Sequence, residues 1–226
     1  MQTLLSPAPR RVTLGSNVLL QIKILLLSGK LMPGEQLSLR STAEALGVSV
    51  MPVREAVYQL VADQALEAAP NRSVRVPKMT ADQFKEITDI RLQIEGYAVE
   101  QAARRATPAL IESLEALNAA LSRAMGDPDN DKAPVVLLNK ELHFSIYEAA
   151  EMPMLMKIIE TLWLRIGPVL NYDLRRGSER TEKKIAVDHH QKMIDALRKR
   201  NPSGARQALH DDIKSAFDYI HAKQFS

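Results

Sequence analysis

Four helical stretches of this 226-residue sequence carry polar, ligand-capable side chains where an apolar stripe asks for Leu or Ile. In 134–150, Val135, Asn139, Leu142, His143 and Ile146 share a face, with Asn139 one turn from His143. In 179–199 the face is Ala186, His190, Met193 and Leu197, and in 202–222 it is Ala205, Leu209, Asp212, Ala216 and Tyr219. In 80–106 it is Phe84, Ile87, Arg91, Ile94 and Ala98. Buried polar groups need partners, and one shared cavity supplies them for all four stretches. Two imidazoles with an amide and a carboxylate oxygen suit a divalent ion such as Zn²⁺, Ni²⁺ or Mn²⁺, and facing helices of a bundle can hold one. The competing reading is the ordinary one, in which an inward histidine is a hydrogen-bonded core residue. Arg91 needs an anion, because an unpaired buried charge is costly. Glu95, one turn on, can supply it; so can the carboxylate of a bound organic acid, with Arg165 as a second clamp. His189, His210 and His221 fall off the stripes and read as surface residues.

A second constellation lies nearer the N-terminus. In "LGVSVMPVREAVYQL", residues 46–60, Gly47 ends a short helix and Ser49 stands where it can cap the next. Pro52 falls in the first turn, where its missing N–H is harmless. Val53, Val57, Leu60 and Val61 form the buried stripe, and Ser49, Val50, Met51 and Arg54 lie opposite it, placed to contact DNA. The first turn of a recognition helix is the part that enters the major groove, and Arg54 can grip phosphate or take guanine O6 and N7 together. Arg40, just before the supporting helix, can hold the DNA backbone. Arg72 and Arg75, on or beside a hairpin tip, can reach flanking phosphates or the minor groove. Any one of these arginines is ordinary solvated surface; four around one helix-turn-helix pattern form a basic footprint.

The elements that must position these groups follow from periodicity and punctuation. A first helix is predicted over 16–28, a second over 41–46, and the recognition helix from Val50. "ALEAAP" and "SVRVP" flank Asn71–Ser73 as a β-hairpin, which completes a winged helix-turn-helix. Beyond Thr80 the pattern gives six helices, 80–106, 107–126, 134–150, 153–173, 179–199 and 202–222, each break marked by Pro or Gly. The fold class is therefore mainly α. A flexible segment 1–13 precedes a winged helix-turn-helix over 14–78 and an all-helical antiparallel bundle over 79–226.

Composition agrees. Aromatics are only 4% of the chain, which favours helix over sheet. With no cysteine, disulfides and thiolate zinc sites are impossible. No secretory leader is legible, and "VLLQIKILLL" is too short and too polar to span a bilayer. These features read as a cytoplasmic chain with no membrane partner. Residues 1–78 hold nine Lys or Arg against five Asp or Glu, a net +4, while the remainder is −1 overall. A basic N-terminal part suits a polyanion.

The stretch "SGKLMPGEQLSLRSTAEALGVSVMPVREAVYQLVADQAL" resembles the DNA-binding domain of the GntR family of bacterial transcription regulators, over about 14–78. That resemblance implies a dimer bound to an inverted repeat, with DNA contacts from Arg40 and Arg54. The family often has Arg-Thr where this chain has Val50-Met51, and Gly at the wing tip where it has Asn71–Ser73. Residues 80–222 resemble the FCD effector domain of the FadR subgroup, through "RLQIEGYAVEQAA", "NKELHFSIYEAA" and "HQKMIDALRKRNPSGARQALHDDI". The resemblance implies a metal site of one Asp and three His. Here those positions are Asn139, His143, His190 and Asp212, so one carboxylate is kept but moved across the site.

Together these readings imply an effector-responsive transcription regulator, a repressor acting as a homodimer on double-stranded DNA. Its bundle would hold a metal ion, a small organic acid, or both. Two other classes stay open: a metal-dependent hydrolase using His143, His190 and Asp212, and an architectural DNA-binding protein whose bundle only dimerises.

Overall fold

The computed structural model describes residues 14–28, 30–68, 73–127, 133–175 and 178–225. Helix α1, Leu14–Leu27, buries Val18, Ile22, Leu26 and Leu27. Helix α2, Leu39–Leu46, begins two residues earlier than periodicity alone predicts, because Ser38 adopts the extended cap conformation and its side chain accepts from the Ser41 amide. Arg40 therefore stands inside the first turn of α2 and not ahead of it. Gly47, at φ 64°, closes α2 in the left-handed region, which a glycine enters without steric cost. Helix α3, Val50–Ala62, then buries Val53, Ala56, Val57 and Leu60.

The hairpin gains a third strand. Strand β2, Glu67–Ala68, and strand β1, Gln36–Leu37, both pair antiparallel with β3, Val74–Arg75, in the order β1-β3-β2. Gln36 and Glu67 both stand opposite Arg75, and Leu37 and Ala68 opposite Val74. The "MPGEQL" segment thus supplies an edge strand as well as a turn, and the wing is tied to the start of α2.

The rest of the described chain is helical: α4 Ala81–Arg105, α5 Pro108–Gly126, α6 Ala133–Glu148, α7 Pro153–Arg175, α8 Glu179–Glu182, α9 Ile185–Arg198 and α10 Pro202–Gln224. A Thr80–Gln83 capping box starts α4, and Thr107 and Asn201 cap α5 and α10 ahead of Pro108 and Pro202. The predicted helix over 179–199 is in fact two. Lys184 takes a left-handed conformation, φ 52°, between α8 and α9, and its ammonium donates to the Ser122 hydroxyl at 3.1 Å. No Gly or Pro announces that break.

Helix α10 packs on α4 and α9, α5 on α6 and α9, and α7 on α4 and α6. The winged part does not hang separately from this bundle. One apolar core runs from Val18, Ile22, Val57 and Leu60 through to Ala98, Leu142, Ile146 and Leu197. Helix α1 also lies on α7. There the Asn171 amide donates to the Leu26 and Leu27 carbonyls at 3.3 and 3.2 Å, and Lys23 pairs with Glu160 at 2.8 Å. These bonds satisfy carbonyls at the end of α1 that no helical N–H reaches. Among the described residues, no helix is long and apolar enough to cross a membrane.

Candidate functional site

The predicted stripes converge. His143 from α6, His190 from α9 and Asp212 from α10 are all buried, and one ligand atom from each lies within 4.8 Å of the others. His143 Nε2 is 3.2 Å from His190 Nε2 and 3.3 Å from Asp212 Oδ2, and His190 Nε2 is 3.8 Å from the same oxygen. Asn139, half-buried one turn before His143, lines the same cavity of about 50 Å³.

Behind His143 lies a hydrogen-bond relay. Tyr147, one turn further along α6, donates its hydroxyl proton to Glu95 Oε2 at 2.5 Å, and its oxygen lies 3.1 Å from His143 Nδ1. A hydroxyl that gives its proton to a carboxylate presents a lone pair to its other neighbour. Nδ1 is thereby the protonated nitrogen of His143, and Nε2 faces His190 and Asp212. Glu95 is the hub of this relay. It accepts from Arg91 Nε at 2.6 Å and Nη2 at 3.2 Å, and from Trp163 Nε1 at 3.1 Å. The Arg91 guanidinium also lies 5.0 Å from the centre of the Trp163 ring, within cation–π range. Arg91 thus has its anionic partner inside the protein, as the i, i+4 spacing with Glu95 allowed.

Electrostatics sharpen the site. Burial pushes the His190 pKa down to about 3, with Asp212 opposing, so the ring is neutral at neutral pH. Its Nδ1 has no hydrogen-bond partner among the described residues, which leaves Nε2 as its engaged atom. Burial works against the Asp212 charge, yet the contacts with His143 and His190 and the charge of Arg180 outweigh it. The carboxyl is held well below its usual range. Burial likewise opposes the Arg91 charge, and Glu95 more than compensates. Asp212 Oδ2 and the two Nε2 atoms can approach this closely only with a proton or a cation among them; neutral His190 can supply an Nε2–H, since its Nδ1 has no partner among the described residues, and a divalent ion can fill the same place.

The structure separates residues that the sequence grouped. Arg180, which no stripe predicted, is buried at the start of the bundle's split helix and lines the cavity with Arg91, Trp163 and Asp212. Arg165 lies elsewhere, half-buried in a cleft of about 300 Å³ between wing and bundle, beside Lys78 and Gln83. Of the three histidines taken for surface, His210 is exposed, but His189 and His221 are half-buried. His221 stands against Phe217 and Phe225 at ring-centre distances of 5.3 and 6.0 Å. A helix stripe marks the most buried line of a face and misses groups buried at its margins.

On the winged part, Arg40, Ser49, Met51 and Arg54 are exposed. Ser49 has the extended backbone of a cap but makes no side-chain capping bond, so its hydroxyl is uncommitted. Val50 is half-buried against the apolar core, and Met51 is the side chain that reaches water. Arg75 is half-buried, and its Nε donates to Glu67 across the sheet at 2.5 Å. Arg72 lies outside the described residues. Tyr58, unremarked in the sequence, is 66% exposed on the same side of α3 as Met51 and Arg54.

An outward recognition helix fused through a shared core to a buried polar cavity is the plan of a ligand-sensing DNA-binding regulator. Known proteins bear this out. Residues 14–76 match the bacterial regulatory proteins of the gntR family, and residues 86–215 match the FCD domain. The chain belongs to the GntR family of transcription regulators, in the FadR-like subgroup that carries an FCD domain. It is 33% identical over 200 residues to the HTH-type transcriptional regulator McbR of Escherichia coli K12, covering 88% of this chain and 89% of that one. The solved structure of E. coli McbR/YncC superposes with a TM-score of 0.85 at 31% identity, over 94% of this chain and 99% of that one. A probable D-xylose utilization operon repressor of Paenarthrobacter nicotinovorans is 28% identical over 199 residues, covering 88% of this chain and 85% of that one.

Proposed function

We propose that the protein is a repressor that binds an inverted-repeat operator as a homodimer in the cytoplasm, and that a divalent ion and a small organic acid in the bundle cavity set its DNA affinity. The observation that carries the sensing half is the convergence of His143 Nε2, His190 Nε2 and Asp212 Oδ2 in one buried cavity. The donor set fits Zn²⁺, Ni²⁺ or Mn²⁺: two imidazoles, one carboxylate, and Asn139 on the cavity wall as a neutral oxygen donor. Three strong protein ligands leave a coordination position for an oxygen of the effector. The ion would supply Lewis-acid attraction for that anion.

The chain's own residues do the rest. Tyr147 and Glu95 hold the His143 tautomer. Arg180, buried on the cavity wall and close enough to bias Asp212 and His190, supplies positive charge for a carboxylate. Arg91, engaged by Glu95, braces the relay. Arg165 lies outside this cavity and takes no part in the carboxylate contact. Ligand control follows from the same plan: two winged parts need a fixed spacing to meet two half-sites, and a ligand that moves the bundle alters that spacing. The P. nicotinovorans relative, a probable repressor of a sugar operon, supports repression as its sign.

Elemental analysis of the purified protein tests the metal, with about one divalent ion per chain expected, and a chelator should lower the melting temperature by linkage. His143→Ala and His190→Ala should each lose the ion. If no metal is found and chelators change nothing, the metal reading fails, and a proton-bridged cluster that binds an anion directly takes its place. A thermal-shift screen of organic acids against wild type and Arg180→Gln tests the effector. Equal stabilisation of both proteins by every hit would refute a carboxylate held by Arg180. Sedimentation with and without operator tests the dimer.

A further inference from the structure

At 100° per residue, Met51, Arg54, Glu55 and Tyr58 fall on one arc of α3, the arc that faces solvent. Met51 is 54% exposed at the first turn. A lone exposed apolar side chain needs no explanation. This one, however, stands where a recognition helix meets base edges, directly beside Arg54. Its side chain has no hydrogen-bond donor, and its thioether is a weak acceptor. In the major groove the four base pairs differ in their donors, their acceptors and one apolar group, the thymine methyl. A side chain with no donor and only a weak acceptor discriminates chiefly by that last feature. Methionine is also unbranched and flexible enough to follow a methyl group across small changes in docking.

We infer that Met51 reads a thymine methyl group in each operator half-site, next to the base pair contacted by Arg54, so that this part of the operator is specified by apolar contact. The inference rests on the docking of α3 in the major groove proposed above. It also names what replaces hydrogen-bonded readout at a position where this chain has no polar side chain.

The test uses the tightest duplex selected by the purified protein from a randomised pool. Each thymine is replaced in turn by deoxyuridine, which removes one methyl and leaves pairing and phosphates unchanged. For wild type, one or two thymines per half-site should each cost about fourfold in affinity. For Met51→Ala, whose melting temperature should match wild type, the same replacements should cost nothing. Where thymine is changed to cytosine, 5-methylcytosine should restore most of the affinity to wild type and none to Met51→Ala. Arg54→Ala should weaken every probe. If deoxyuridine is harmless at all positions while Arg54→Ala still loses binding, docking stands and methyl readout is overturned. Equal deoxyuridine sensitivity in wild type and Met51→Ala would overturn it too. If Arg54→Ala and Met51→Ala both bind like wild type, the docking of α3 fails and the inference falls with it.

Discussion

The start of α3 and the bundle cavity break the rules of burial in opposite directions. At α3 an apolar side chain, Met51, faces water; in the bundle Arg91, Glu95, His143, His190 and Asp212 face the interior. The penalties differ in size and in kind. An exposed methionine forgoes about 1.5–3 kcal/mol of possible burial and involves no other residue. A buried charge carries a desolvation penalty of several kcal/mol, offset only while every partner is in place. The recognition surface can therefore change one residue at a time, whereas the cavity can change only as a set. The moved carboxylate fits this rule: Asp212 and Asn139 stand where the family resemblance implies His and Asp, so charge was kept in count when it shifted in place.

The largest expected effect tests the claim that the cavity residues act as a set. Glu95→Leu strands the Arg91 guanidinium and leaves the Tyr147 and Trp163 donors without their acceptor, and should cost about 3–5 kcal/mol of folding stability in urea denaturation. Adding Arg91→Met should recover most of that loss. If Glu95→Leu alone costs less than about 1 kcal/mol, the hub is not a unit and the contrast collapses.

A smaller effect concerns the relay. Tyr147→Phe keeps the ring and removes the oxygen facing His143 Nδ1, so metal affinity should drop about 10- to 100-fold in competition with a chelating dye. Unchanged affinity would separate Tyr147 from the tautomer of His143.

The smallest effect lies on the other side of the comparison. Arg54→Ala should cost about 1–3 kcal/mol in operator binding, yet it and Met51→Ala should each leave folding stability within about 0.5 kcal/mol of wild type. A larger loss of stability in either would mean that α3 is as interdependent as the cavity.

Legibility in the sequence followed the same divide. His143, His190 and Asp212 could be found because each interrupts an apolar stripe of regular period, and the Arg91–Glu95 pair because i, i+4 neighbours meet on a helix. Tyr147 hid in plain view, since a tyrosine on an apolar face looks like packing; its position four residues after His143 was the available signal. Arg180 was missed because the chain turns at Lys184 without Gly or Pro, so the stretch read as one helix whose stripe, starting at Ala186, did not take in Arg180. Arg165 was grouped with the cavity because α7 is covered on two sides, by α1 and by the bundle, and one period cannot say which side an inward residue meets. Strand β1 has two residues, too few for any alternation to show. The exposed side of α3 was read correctly at Met51 and Arg54 but not at Val50, whose place at the edge of the stripe lets it pack inward.

Helix α7 places Trp163 on the Glu95 hub and, two turns later, Asn171 on the last carbonyls of α1. Regulators of this kind invite grafting, with one reader joined to another sensor at the connecting segment near Met79. Here that splice would set a foreign α7 against α1 and discard both the Asn171 bonds and the Lys23–Glu160 pair. A hybrid that keeps its response must exchange α1 along with the bundle, or carry the α1-facing side of α7 into the new partner. The unit of inheritance is therefore the bundle plus the first helix of the reader, and a working chimera needs two seams, one after α1 in the turn that leads to β1 and one near Met79.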